Sequence, residues 1–189
     1  MDEATLKMSE ILKELELLRK EMEVVFTSTR KLWDTDADQD HRHFPNTIYG
    51  FVMAAMAKVD YLSKHWIWNE GRQTERMIEF MNFFLGYDKG ASKIAVHFFR
   101  HKLMHTSNVL ELHDDQGKSY RWLLHHGDGS DLPRDRHMLL NADKLDFGLL
   151  YLVEDLISAV PRLAHSMGTD REILGRWARI ESKMRSVTK

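Results

Sequence analysis

Apolar residues return at three-and-four spacing in one segment after another of this chain, a period that selects helices over strands. Between Met8 and Phe26 the stripe is Met8, Leu12, Leu15, Met22 and Phe26, widened by Ile11, Leu18 and Val25. Arg19 interrupts it, so the segment reads as a core helix ahead of an extended coiled coil, with a dimer contact as its other use. A second helix is expected from Thr47 to about Trp68, with Ile48, Phe51, Val52, Ala55, Met56, Val59 and Leu62 buried and Gly71 ending it. A third runs from Thr74 to Leu85, burying Met77, Ile78, Met81, Phe84 and Leu85, and stops at Gly86. A fourth starts near Asp88 or Ala91 and carries Ala95, Phe98, Phe99 and Leu103.

The period then changes. VLELH and SYRWLL, either side of DDQGK, read as two short strands about a Gly-containing turn, and HMLLN as a third after a loop-like HHGDGSDLPRDRH. This makes an insertion at about 108–141 between helices. Helical spacing resumes with Leu145, Leu149, Leu152, Val153, Leu156, Ile157 and Val160, where Pro161 is expected to kink the helix before Gly168 closes it. Thr169 and Glu172 form a capping-box pattern ahead of a last helix through Ile173, Trp177, Ile180 and Met184. Asp34 to Pro45, with four aspartates, two histidines and a proline, reads as a loop. The expected fold is a mainly all-α bundle in a single domain, 1–189, with a small β-hairpin insertion after the fourth helix.

Composition narrows the functions. With no cysteine, a disulfide framework, a thiolate zinc site and a cysteine nucleophile are all excluded. A formal charge of −2 gives no overall basic footprint, so contact with RNA would have to be local. The amino terminus is amphipathic and mildly acidic rather than signal-like, and no apolar run suggests a membrane span. The expectation is a cytoplasmic protein without a membrane partner.

The sharpest chemical signal is RHKLMH, Arg100 to His105. At about 100° per residue, His97, Arg100, His101 and His105 share one basic arc, and Ala95, Val96, Phe98, Phe99 and Leu103 form the opposite, apolar arc. Arginine offers a fork of donors to a phosphate, and histidine can move a proton near neutral pH. Such a pair suits metal-independent RNA cleavage, the histidine acting on the 2′-hydroxyl or the leaving oxygen and the arginine holding the charged phosphate. Asp60, the carboxylate within the apolar part of the second helix, would offset the like-charge effect of the arginine on the histidine.

AVHFFRHKLMHTS resembles the motif of the HEPN family, small helical bundles marked by an arginine, four to six intervening residues and a histidine. The matching positions are Arg100 and His105, with His101 where a polar residue, commonly asparagine, follows the arginine. FVMAAMAKVDYLSKHW is similar to the family's second helix, with Asp60 as its acid. The resemblance implies a homodimer whose two motifs meet. It also implies an endoribonuclease of a toxin–antitoxin, antiphage defence or RNA-processing system, with Arg100, His105 and His101 catalytic, Asp60 and His97 supporting, and no metal or other cofactor. A protein antitoxin or another protein would be a further partner. The same fold also serves as a non-catalytic interaction or nucleotide-binding module.

Other readings compete for these residues. Arg100 would serve the fold by pairing with Asp60 or Glu79, and His105 by capping the fourth helix. His97, His101 and His105 have the i, i+4, i+8 spacing of paired metal ligands without an HExxH signature. Asp34, Asp36 and Asp38 match the start of a calcium loop, but Gln39 and Pro45 stand where its glycine and glutamate belong. The basic stretch from Arg171 to Lys189 reads as a solvated helix face ahead of an RNA-facing one, and Trp66 and Trp68 as packing residues ahead of base-stacking ones.

Overall fold

A computed structural model describes residues 3–35, 46–66, 72–103, 111–113, 116–127, 129, 131–169, 175 and 179. The amphipathic segments form helices α1 (Glu3–Thr35), α2 (Asn46–Trp66), α3 (Gln73–Phe84), α4 (Lys89–His97) and α5 (Leu149–Thr169). A π-helical segment, Phe98–Leu103, continues α4. Strands β1 (Glu111–His113), β2 (Ser119–His125), β3 (Leu139–Asn141) and β4 (Lys144–Gly148) lie between it and α5. The mainly helical class holds.

The stripe on α1 is buried as its spacing predicts: Met8, Ile11, Leu15, Met22 and Phe26 are core residues, with Leu12, Leu18 and Val25 packed against them. Its most extensive partner is α5. Arg19 remains at the surface through ion pairs with Glu16 and Glu23. The helix reaches Thr35, so Asp34 and Thr35 are helical rather than part of the expected loop, and residues 36–45 lie outside those described.

Two chain reversals set the end of the bundle. Gly86, at φ +75°, lets the chain turn after α3, and the Tyr87 N–H returns to the Met81 carbonyl at 3.2 Å. Asp88 then caps α4, its Oδ1 accepting from Gly90 N–H at 2.8 Å and Ala91 N–H at 3.0 Å. α3 and α4 consequently run antiparallel, with Glu79 meeting Lys89 near the turn and Thr74 meeting Arg100 at the far end. In α2, Asp60 meets the start of α3, while Trp66 meets Phe80, Phe83 and Phe84 near its end.

The expected hairpin insertion is corrected to a four-stranded mixed sheet in the order β1-β2-β4-β3. β1 and β2 form the expected antiparallel pair, Leu112 opposite Tyr120, and HMLLN supplies β3. The missed strand is β4, which pairs parallel with β2 and antiparallel with β3. Leu145 fits two periods at once. With Leu149 and Leu152 it continues a helical stripe, but with Phe147 it alternates onto one sheet face, and the sheet prevails. That face packs inward: Trp122 lies 4.9 Å from Phe147 and 5.1 Å from Phe98 between ring centroids, tying the sheet to the π-helical segment.

α5 continues through Pro161 and Gly168 to Thr169, because Pro161 sits on the exposed side while Leu156, Ala159, Val160 and Leu163 are fully buried around it. Burial outweighs the backbone hydrogen bond a proline forgoes. Thr169 lies within α5, and Glu172, the other half of the expected capping box, lies outside the described residues. Of the expected last helix and its basic stretch, only Gly175 and Arg179 are described, both helical.

Candidate phosphate-binding site on the fourth helix

Arg100 sits within the π-helical segment, half-buried, directly after the buried Phe98 and Phe99. A π turn closes between residues five apart and is often found at functional sites. Ideal 100° spacing therefore applies only as far as His97, and the rest of the expected basic arc, at the His101 side chain and His105, lies outside the described residues. Phe98 and Phe99 nevertheless lie on the buried side with Ala95 and Val96. The contact of Phe98 with Trp122 anchors the segment that carries Arg100.

The Arg100 guanidinium donates to Thr74 Oγ1 at 2.6 Å. Neither expected acid partner takes it: Glu79 pairs with Lys89 at 2.7 Å, and Asp60 is engaged by Gln73 and Arg76. Gln73 Nε2 donates to Asp60 Oδ2 at 2.7 Å, and Arg76 stands 3.8 Å from Asp60 Oδ1 with a side chain only 10% exposed. Burial lowers the Arg76 pKa from the usual arginine value, Asp60 raises it, and the positive charge of Arg100 lowers it again. Two guanidiniums are thus near enough to repel, with one carboxylate on the far side of Arg76. Among the described residues Arg100 spends one of five N–H donors, on a neutral hydroxyl, which leaves four for an anion.

Arg100 and Asp60 are therefore brought to one end of the bundle, with Arg76 between them. His97 is half-buried in the last turn of α4. His101 belongs to the π-helical segment by its backbone, while its side chain and the whole of His105 lie outside the described residues. The histidine metal reading falls largely on those residues too. Among the described residues, no group of three His, Asp or Glu side chains could hold a metal ion. Sequence reasoning missed Arg76, Thr74 and Gln73. Their signal was present in the N-terminal turn of α3, where polar residues share the first turns with an arginine three positions on.

A second polar array, also unforeseen, lies between the sheet and α5. Gly148 N–H donates to His137 Nδ1 at 3.0 Å, so the ring proton is on Nε2, which meets Tyr87 Oη at 2.8 Å. Tyr87 in turn donates to Asp155 Oδ2 at 2.5 Å, and Arg134 pairs with the other carboxylate oxygen. The His137 side chain is 2% exposed. Burial, and secondarily the charge of Arg134, pushes its pKa down to about 3. Burial raises the Asp155 carboxyl and, together with Asp155, raises the Tyr87 hydroxyl well above the usual value. The array is a directed chain of hydrogen bonds holding the α3–α4 turn, β4 and α5 together.

No protein-family model, curated protein or solved structure matches this chain. The reading of the site therefore rests on its own geometry. No helix among the described residues is long and apolar enough to cross a membrane.

Proposed function

We propose that the protein is a HEPN-like, metal-independent endoribonuclease, acting as a homodimer in a toxin, defence or RNA-processing role. The observation that carries this reading is the charge imbalance at Arg100: two neighbouring guanidiniums, one carboxylate beside Arg76, and Arg100 itself held, among the described residues, by the neutral Thr74 hydroxyl. Such an arrangement attracts an anion with fixed, multiply donating chemistry, as a phosphodiester requires.

In the proposed reaction the ribose 2′-oxygen attacks the adjacent phosphorus and the 5′-oxygen leaves, giving a 2′,3′-cyclic phosphate and a 5′-hydroxyl. His105 takes the 2′-hydroxyl proton or supplies the proton to the leaving oxygen, and His101 orients or assists. The His105 of a second subunit would provide the complementary step where two motifs meet. Arg100 stabilises the charge that gathers on the phosphate oxygens. Asp60 holds Arg76, and Arg76 keeps the local field positive. His97 adds a further imidazole on the approach.

The test is incubation of purified protein with single-stranded and structured RNA in chelator. Products ending in cyclic phosphate, lost in folded Arg100→Ala and His105→Ala variants, are expected. Equal cleavage by the variants would sink the assignment. A dimer with no turnover, weakened by Arg100→Ala, would instead mark the motif as a non-catalytic interaction element, and a monomer at micromolar concentration would remove the composite site.

A further inference from the structure

A groove of about 500 Å³ opens between the end of α3 and the last turns of α5, lined by Phe83, Phe84, Pro161, Arg162, His165 and Ser166. Phe83 is 67% exposed although it is a large apolar side chain, and Trp66 stacks on it at 5.0 Å with an interplanar angle of 22°. Trp66 is held edge-on by Phe84 at 5.0 Å, so Phe83 belongs to a backed aromatic ledge rather than a loose side chain.

Beside the ledge, Arg162 is fixed by the backbone. Its Nη2 donates to the Phe84 carbonyl at 2.5 Å and its Nε to the Ser158 carbonyl at 3.4 Å. Two of the five guanidinium N–H groups are thereby spent, leaving three for a ligand. His165 lies one turn further along the same helix, and among the described residues the groove lining contains no carboxylate. An exposed aromatic plane beside a pre-positioned guanidinium has the two elements that recognise an unpaired nucleotide: a surface for the base and a fork for the phosphate.

We infer that this groove binds an unpaired nucleotide of single-stranded RNA, its base stacked on Phe83 and its phosphate held by Arg162. The inference shares its RNA ligand with the proposed function but not its chemistry. Phe83 stands nine residues beyond Thr74 on α3, roughly 14 Å along the axis, so the groove lies apart from Arg100 and would hold RNA flanking the cleaved bond. An apolar groove alone would suit a protein segment equally. The anchored guanidinium beside the aromatic ledge, with no acid among the described lining residues, favours an anionic, planar occupant.

Binding of a fluorescent oligoadenylate of about eight nucleotides is measured by anisotropy in the full chain carrying Arg100→Ala, which prevents cleavage. Phe83→Ala, an exposed substitution compatible with folding, and Arg162→Lys, which keeps the charge but removes the fork, are each expected to weaken binding at least about fivefold. Phe83→Tyr is expected to retain it. Affinity within about twofold in both weakening variants, or no binding by the parent at 100 µM, overturns the inference. So does loss of self-association in Phe83→Ala with RNA affinity unchanged, which would make the occupant a second copy. If the wild-type protein fails to cleave RNA while Phe83-dependent binding persists, the ribonuclease reading fails and this one stands.

Discussion

Replacing Tyr87 with phenylalanine removes a single oxygen from the centre of the array between the sheet and α5. That oxygen donates to Asp155 at 2.5 Å and meets His137 Nε2 at 2.8 Å. The lost bond to a carboxylate is worth about 1.5–3 kcal/mol, and leaving the His137 N–H buried without a partner costs roughly 1–3 kcal/mol more. Arg134 still pairs with Asp155 and recovers part of the first loss. The net cost is about 3 kcal/mol, which for a chain of this size lowers Tm by roughly 6–12 °C. Thermal unfolding followed by tryptophan fluorescence reports it, since Trp122 lies against Phe147 of β4. A Tm shift below about 2 °C would show that the array does not hold these elements together.

Acid should act through the same residues. His137 has its folded pKa near 3, against an ordinary value of 6.5. Between these values the unfolded chain binds a proton that the folded chain does not, so stability is full above about pH 6.5 and falls with acidification toward pH 3, by about 1.4 kcal/mol per pH unit at most. Asp155, whose pKa is raised, acts in the opposite sense above its unfolded value and flattens the lower part of that window. A pH series of urea midpoints should show the fall in the wild type, with the His137→Gln slope about one proton smaller; identical slopes would refute the assignment. Gly127→Ala should destabilise by more than about 2 kcal/mol, because φ is +75° and the new Cβ would sit 2.7 Å from Gly148 Cα. Gly117→Ala, at φ +78° with open space around it, should cost less, and equal urea midpoints for the two would contradict the close-packing argument.

Much of the helical frame was legible because its signal is local. Met8, Leu15, Met22 and Phe26 repeat on one face whatever the rest of the chain does, and Gly86 and Asp88 carry their own turn and cap chemistry. The β4 strand was not, because Leu145 satisfies both periods and the deciding partner, β2, lies about twenty residues upstream. Pro161 lies inside α5, where the burial of Leu156, Ala159, Val160 and Leu163 outweighs the backbone hydrogen bond that a proline forgoes. At the candidate site, Arg100 and Asp60 were identifiable by residue type and position. The intervening Arg76 was not, since its place beside both depends on how α2, α3 and α4 lie together. The Tyr87–His137–Asp155 chain was hidden by the same long-range dependence, its members being 50 and 68 residues from Tyr87.

The central claim is that Arg100 holds a phosphate on its way to a 2′,3′-cyclic product. Single-turnover cleavage of RNA in chelator, with wild type compared against Arg100→Lys and Arg100→Ala at matched Tm, tests it directly. The account predicts a rate loss on the order of 10²-fold or more in the alanine variant, with the lysine variant intermediate because a point charge replaces a fork. Cleavage by Arg100→Ala at the wild-type rate, with the same product ends, would contradict it.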